Sequence, residues 1–229
     1  MGHMIQLKAQ DGHELGAYVA TPEGTPIGAL VVVQEIFGVN SSIRSVADSY
    51  AKEGFLTIAP ALFDRLERDL ELDYQAESMK KAFELYPQLD VKTAILDVSA
   101  AFAEAKKESG KDVGVLGFCY GGLMSWLSAT RGEELEMRPA CTVCYYPGGI
   151  IKVATEEPSC PVLIHFGGAD DHIGPDQAEA VHNAHPEVTI YTYEGAPHAF
   201  ANPDRPSYKA DAAKLADERS LDFLKIHIA

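Results

Sequence analysis

In this 229-residue chain, the strongest indication of the fold comes from Val113-Gly114-Val115-Leu116-Gly117-Phe118-Cys119-Tyr120-Gly121-Gly122. A short β-branched strand, Val113–Leu116, leads into a helix of small and apolar residues, Gly121–Ala129. Between them, the G-x-C-x-G pattern is that of an elbow, which presents a nucleophile on a tight strand-to-helix turn. The helix N-terminus favours the thiolate of Cys119. The alternative is a glycine-rich turn around a structural cysteine, but the placement between strand and helix favours a nucleophile.

Strand-length apolar segments alternate with helical segments on both sides of this elbow. The predicted strands are Ile5–Ala9, Glu14–Ala20, Ala29–Gln34, Phe55–Ala59, Val113–Leu116, Cys141–Tyr145, Val162–Phe166 and Val188–Tyr193. The predicted helices are Ser42–Lys52, Tyr74–Leu85, Asp90–Lys107, Gly121–Ala129, Asp176–Ala184 and Tyr208–Lys225. This alternation predicts an α/β fold, with a mostly parallel central sheet and helices on both faces.

Local signals add detail to this outline. Asp11-Gly12 predicts a hairpin between the first two strands, which are then antiparallel. Ser41 or Ser42 is expected to cap the first helix. The charged segment Leu62–Gln88 interrupts the strand–helix rhythm and is the best candidate for a cap or lid.

Length and composition indicate one domain. Apolar residues make up 46% of the chain and charged residues 23%, as in globular domains. We expect residues 1–3 to be a tag remnant and residues 4–229 to form a single domain. The net charge of −15 argues against nucleic acid and anionic membranes as partners. No apolar run approaches the roughly 20 residues of a membrane span, and no signal-peptide pattern is present, so we expect a cytoplasmic protein.

A nucleophile needs a base and an acid, and candidates for both follow later strands. Asp170 and Asp171 come directly after the strand Val162–Phe166, and either could be the acid. His198 lies in a loop after the strand Val188–Tyr193, and His172 is a rival base. Taken alone, these are a helix-capping turn and surface histidines. Their order along the chain (nucleophile, acid, histidine) favours a catalytic triad.

The remaining polar motifs give weaker signals. Glu35 stands at the end of the central strand, where a solvated carboxylate is the common alternative to a site residue. Cys141-x-x-Cys144 lies in a predicted strand and has no second pair to complete a zinc site, so these cysteines and Cys160 are interpreted as structural. No metal-binding spacing, dinucleotide fingerprint or phosphate loop is present. We therefore expect neither a cofactor nor a metal.

The sequence resembles the dienelactone hydrolase (carboxymethylenebutenolidase) family of α/β hydrolases. The resemblance runs through QEIFGVN (34–40), GFCYGG (117–122), CYYPGG (144–149), HFGGADDHI (165–173), APHAF (196–200) and ADERSLDFL (216–224). It implies a single-domain α/β-hydrolase fold with a triad of Cys119, Asp170 and His198. Asp170 is preferred to Asp171 because it preserves the family's spacing from Gly167.

The resemblance also implies supporting roles. Glu35 matches a carboxylate that contacts the nucleophilic thiol, and Ile36 and Tyr120 match the residues whose backbone amides form the oxyanion hole. Two arginines that hold a substrate carboxylate in the family are replaced here by Asn202 and by a position near Met79. We expect Arg205 or Lys81 to supply the cation. Further substrate contacts are expected from three aromatic residues: Phe37, Phe83 and Tyr145.

The predicted function is hydrolysis of small carboxylic esters or lactones of the dienelactone type, through a thioester acyl-enzyme. One alternative is a promiscuous carboxylesterase or thioesterase with another substrate. A second is a binding protein that keeps the fold without the chemistry, which an intact triad disfavours. The expected partner is a small-molecule ester or lactone, and the chain is expected to be a monomer or a small homo-oligomer.

Overall fold

The computed structural model describes residues 2–228 and opens with an antiparallel hairpin. Strand β1 (His3–Lys8) pairs with β2 (Glu14–Ala20), and His3 lies opposite Val19. The hairpin agrees with the Asp11-Gly12 signal. Strand β1 begins two residues before its predicted start at Ile5, so His3, one of the expected tag residues, takes part in the sheet.

A single eight-stranded sheet forms the centre of the protein, in the order β1-β2-β4-β3-β5-β6-β7-β8. Strand β2 pairs antiparallel with β4, and every later pairing is parallel. The remaining strands are β3 (Gly28–Val33), β4 (Phe55–Pro60), β5 (Val113–Phe118), β6 (Thr142–Tyr145), β7 (Val162–Gly167) and β8 (Thr189–Tyr193). Strands β3 to β7 are buried along their whole length, which explains their continuous apolar sequences.

Helices cover both faces of this sheet, which confirms the predicted fold class. They are α1 (Ser41–Lys52), α2 (Ala76–Leu85), α3 (Val91–Ser109), α4 (Tyr120–Arg131), α5 (Pro175–Ala184) and α6 (Ala210–Ile228). Helices α1 and α3 both pack on β3 and β4 but have few or no contacts with each other, which places them on opposite faces. Helix α4 packs beside α3, whereas α6 lines a cleft together with α1.

The N-cap prediction for α1 is wrong by one or two residues. Asn40, rather than Ser41 or Ser42, is the cap, and its side-chain oxygen accepts a hydrogen bond from the Ile43 amide at 3.2 Å. Asn40 also donates to the Leu72 carbonyl at 2.9 Å, and this long-range contact has no local sequence signal.

The segment proposed as a cap contains α2 between two 3-10 turns, Leu62–Arg65 and Tyr86–Gln88. Its beginning is anchored to the body of the protein. Arg65 forms a bidentate ion pair with the buried Asp97 of α3, with both N–O distances at 2.7 Å. Helix α2 buries only Ala82 completely, and its partly buried Met79 and Leu85 pack against the core.

Within residues 2–228, no helix combines the length and the apolar character needed to cross a bilayer.

Candidate active site

The elbow between β5 and α4 places Cys119 in a strained backbone conformation. Its φ angle is +54°, a value that residues other than glycine adopt at a cost of about 1–3 kcal/mol. A Cβ at Gly121 would lie 2.2 Å from the Val33 carbonyl oxygen at the end of β3. Only glycine permits this approach, which brings the elbow against the Gln34-Glu35-Ile36 segment. The Cys119 thiol is partly exposed at the turn.

A backbone hydrogen bond and close packing hold the loops after β7 and β8 together, and this brings the candidate acid and base close to each other. The Ala169 amide donates to the Ala196 carbonyl at 2.9 Å. A Cβ at Gly167 would lie 2.5 Å from the same carbonyl oxygen, so a larger residue there would push the loops apart. His198 Nδ1 then lies 2.8 Å from Asp170 Oδ2, although the residues are 28 positions apart.

The electrostatics of this pair favour a charged imidazole. Burial opposes the charge on His198, but the hydrogen bond to the Asp170 carboxylate and the nearby Cys119 sulfur outweigh it and raise the pKa of His198 to about 10. Burial also disfavours the Asp170 anion. Bonds from His198 and from the backbone amides of His172 and Ile173 overcome this effect and lower the pKa of Asp170. The Asp170 carboxylate, the His198 ring and the Cys119 sulfur thus lie near one another, with a hydrogen bond between Asp170 and His198.

The structure separates the two candidate acids and the two candidate bases by position. The Asp170 side chain is 1% exposed and faces His198, whereas its neighbour Asp171 is exposed. His172 is exposed too, and its ring meets the edge of the His198 ring, with 5.2 Å between centroids. Of these alternatives, Asp170 and His198 have the geometry of an acid and a base.

Glu35 is buried beside these residues, and its side-chain hydrogen bonds are with Asn202 and Tyr74. Its Oε2 accepts from Asn202 Nδ2 at 2.9 Å and lies 3.5 Å from the Tyr74 hydroxyl. Burial raises the pKa of Glu35, and the Arg205 charge and the Asn202 bond offset only part of that rise. Among the described residues, no hydrogen bond joins Glu35 to Cys119, and a contact of Glu35 with the thiol stays a prediction.

The backbone amides of Ile36 and Tyr120 have no hydrogen-bond acceptor within the described residues. Tyr120 is the first residue of α4, where an amide has no partner within the helix. Ile36 lies in a turn, and its amide finds no hydrogen-bond acceptor within residues 2–228. Both residues are at most 6% exposed, and an unpaired buried amide calls for a partner.

Arg205 and Phe37 are the expected substrate-contact residues that the structure brings near Glu35. The Arg205 guanidinium lies over the Phe37 and Tyr74 rings, 5.3 and 5.4 Å from their centroids. The charge of Arg205 also acts on Glu35. One cation therefore stands at the aromatic edge of the site.

The structure does not bring Tyr145 to this site, and that expectation is corrected. Its side chain is fully buried on the α6 side of the sheet, where the hydroxyl donates to Asp217 at 2.8 Å. Two residues of α2 were also expected to contact substrate; one forms an ion pair with another residue and the other is exposed to solvent. Lys81 Nζ is paired with Glu67 at 2.6 Å, and Phe83 is 55% exposed.

Two aromatic residues beside the site were missed by the sequence analysis. Tyr146 adopts a φ of +36° directly after β6, and its ring lies 5.1 Å from the His198 ring. Tyr86 packs edge-on against Tyr120, 5.4 Å between centroids, and burial together with the nearby Cys119 raises the pKa of Tyr86. The CYYPGG motif contains Tyr146 and could have identified it, whereas nothing local marks Tyr86.

The other cysteines and one acidic cluster lie apart from this chain of residues. Burial raises the pKa of the Cys141, Cys144 and Cys160 thiols, in keeping with structural roles. In the described part of the chain, one trio of side chains has ligand atoms within 4.8 Å of one another and could hold a metal ion: Glu157, His185 and Glu187. It shares no residue with the Cys119 site.

The sheet order, the elbow and the loops after β7 and β8 define the chain as an α/β hydrolase. The model of the dienelactone hydrolase family matches residues 15–228. The chain belongs to that family and is a hydrolase of the dienelactone hydrolase type.

Individual relatives agree over almost the whole length. A carboxymethylenebutenolidase from Pseudomonas putida is 33% identical over 228 residues, which cover 96% of this chain and 94% of the relative. The structure of a candidate dienelactone hydrolase from Klebsiella pneumoniae superposes with a TM-score of 0.80 at 28% identity, covering 96% of this chain and 98% of the other. A dienelactone hydrolase-like promiscuous phosphotriesterase from metagenomic libraries has the same fold, with a TM-score of 0.79 at 19% identity and coverage of 100% and 99%.

Proposed function

We propose that the protein hydrolyses small carboxylic esters or lactones through a thioester acyl-enzyme on Cys119. The observation that carries this proposal is the placement of Cys119, His198 and Asp170 directly after β5, β8 and β7, with His198 Nδ1 2.8 Å from Asp170 Oδ2. The free amides of Ile36 and Tyr120 beside Cys119 support it, because acyl transfer needs donors for a developing oxyanion.

The reaction follows from these positions in two halves. The Cys119 sulfur attacks the carbonyl carbon, and the electron pair moves to the carbonyl oxygen, which the two amides bind. When the tetrahedral intermediate collapses, the C–O bond to the alcohol breaks, and the His198 imidazolium gives its proton to the departing oxygen. Water, deprotonated by neutral His198, then attacks the thioester and releases the acid and the Cys119 thiolate.

Alkylation of the cysteines tests the nucleophile directly. Iodoacetamide is expected to modify Cys119 fastest, because thiolate reactivity depends on ionisation and access. Cys160 is the matched control: it is also partly exposed, but burial raises its pKa to about 12. Peptide mass spectrometry over a time course gives each rate, and ester substrate should protect Cys119 alone. Faster labelling of Cys160, or labelling of Cys119 that substrate does not slow, would contradict the proposed role.

We propose that Glu35 accepts the thiol proton when substrate binds, using an oxygen not held by Asn202. Glu35→Gln keeps the shape and the Asn202 contact but removes the base. It is expected to slow acylation by about 100-fold with little change in substrate Kd. Stopped-flow kinetics with p-nitrophenyl acetate separates acylation from deacylation. An unchanged acylation rate would leave Glu35 with a structural role only.

We propose that Arg205 is the cation that selects anionic substrates. Arg205→Ala is expected to raise KM for an anionic ester about tenfold and to leave a matched neutral ester nearly unchanged, because the lost interaction is present in both ground and transition states. Lys81→Ala is the control, and its pairing with Glu67 predicts little effect on either substrate. Equal effects of Arg205→Ala on both esters would instead favour a broad carboxylesterase.

A further inference from the structure

A cleft of about 610 Å³ opens between α1 and α6, outside the proposed catalytic residues. Its lining comes from α1, from α6, from the end of β5 and from the segment 201–208. The cleft and the candidate active site are separated by one shared wall. Ser42, which lines it, donates to Asn202 Oδ1 at 3.1 Å, and Asn202 in turn holds Glu35 on the other side. The cleft is thus a separate cavity rather than an extension of the Cys119 site.

The walls of the cleft can bury an apolar or aromatic group. Tyr50 and Phe118 form its inner part and are 7% exposed each, while the more open Tyr208 and Leu221 stand nearer the surface. Small ligands bind in concave sites of this kind, where mostly apolar walls surround a few polar groups.

The charges around the cleft are predominantly negative. Lys214 is paired with Glu218 at 2.6 Å, and Glu53 is paired with Lys225 at 2.9 Å, so these four charges cancel in two pairs. Two further carboxylates line the cleft, those of Asp204 and Asp217. Neither forms an ion pair with any residue between 2 and 228. The cleft thus attracts a cation and repels an anion.

Asp217 is the carboxylate best placed to hold a ligand. Its side chain is exposed at the surface, but neighbouring protein atoms partly desolvate the carboxylate and raise its pKa to about 6. Its one hydrogen bond in the described structure comes from the buried Tyr145 hydroxyl, which fixes the carboxylate and leaves a second oxygen free. Tyr50 and Asp217 line the same cleft.

We infer that this cleft binds a small amphipathic organic cation, with its ammonium group on Asp217 and its apolar body against Tyr50, Phe118 and Tyr208. Charge complementarity selects the ammonium, since the two unpaired carboxylates have no cation of their own. The aromatic side chains favour contact with the apolar body of the ligand and can also form cation–π contacts with its ammonium group. This inference is independent of the chemistry proposed for Cys119.

Isothermal titration calorimetry on the full chain tests the site with 2-phenylethylammonium and, as the neutral counterpart, 2-phenylethanol. The ammonium is expected to bind and the alcohol to bind at least about tenfold more weakly. Asp217→Asn, which can still accept from Tyr145, should weaken ammonium binding about tenfold. Asp222→Asn is the matched control, because Asp222 is an exposed acid of α6 outside the cleft. It should leave binding unchanged.

Two further measurements keep the site distinct from the catalytic one. Ser49→Arg places a positive charge at the exposed rim of the cleft and should abolish ammonium binding without touching the core. Protein alkylated on Cys119 should bind the ammonium as tightly as the untreated protein. Loss of binding on alkylation, equal binding of the amine and the alcohol, indifference to Asp217→Asn, or no ammonium binding at all would each overturn the inference.

Discussion

Replacing Cys119 with alanine is expected to lower kcat for ester hydrolysis by about a millionfold, the scale seen when a triad nucleophile is removed. The described elbow places no other nucleophilic side chain against His198, so the acyl-enzyme cannot form. The measurement is kcat on p-nitrophenyl acetate, with intact-protein mass spectrometry to look for an acyl adduct. The variant should show neither turnover nor adduct.

Cys160→Ala is the control for this variant, because it removes another partly exposed thiol. It should retain full activity, and both variants should keep the circular dichroism spectrum of the parent. Substantial hydrolysis by a folded Cys119→Ala protein would refute the assignment of the nucleophile. Cys119→Ser should also lose most activity: the elbow geometry suits serine, but a hydroxyl ionises far less readily than a thiol.

The fold was predictable because its strands carry strong local signals. Buried parallel strands need continuous apolar runs, and the predicted strand Val162–Phe166 differs from β7 by a single residue at its end. Strand and helix ends were less accurate, since they depend on contacts outside the local pattern. Asn40 caps α1 while it also holds the Leu72 carbonyl, and a propensity for Ser41 or Ser42 contains no such information.

The catalytic candidates were predictable for a related reason. Parallel strands end at one edge of the sheet, so Cys119, Asp170 and His198, each following a strand, had to lie close together. Which neighbouring side chain faces the site was harder to foresee. Strand β6 ends at Tyr145, and the positive φ of Tyr146 then turns that ring to His198, while the Tyr145 ring faces α6. A strand pattern with undefined ends cannot distinguish the two.

The surroundings of Glu35 could not be predicted from local sequence at all. Asn202, 167 residues away, and Tyr74 both reach its carboxylate. Asn202 also bonds Ser42, so one amide connects the central strand, the first helix and the histidine loop. Such a network is set by tertiary packing, and each member taken alone resembles an ordinary polar surface residue.

Asp170→Asn is expected to lower kcat by about ten-thousandfold, as the loss of a triad carboxylate does when it leaves the histidine in the wrong tautomer. The amide can still accept from the His172 and Ile173 backbone, so the loop should keep its shape. The charge that stabilises imidazolium is lost, and the pKa of His198 should fall from its raised value. The pH dependence of Cys119 alkylation would record this fall.

The matched control is Asp171→Asn, which removes the same charge from the adjacent, exposed position. We expect its kcat to stay within about threefold of the parent, because a solvated charge contributes little across water. The contrast depends on one geometric fact: Asp170 Oδ2 lies 2.8 Å from His198 Nδ1, and no hydrogen bond joins Asp171 to His198 in the described structure. A larger loss in Asp171→Asn than in Asp170→Asn would identify Asp171 as the acid. Equal, small losses in both would mean that His198 works without a carboxylate partner.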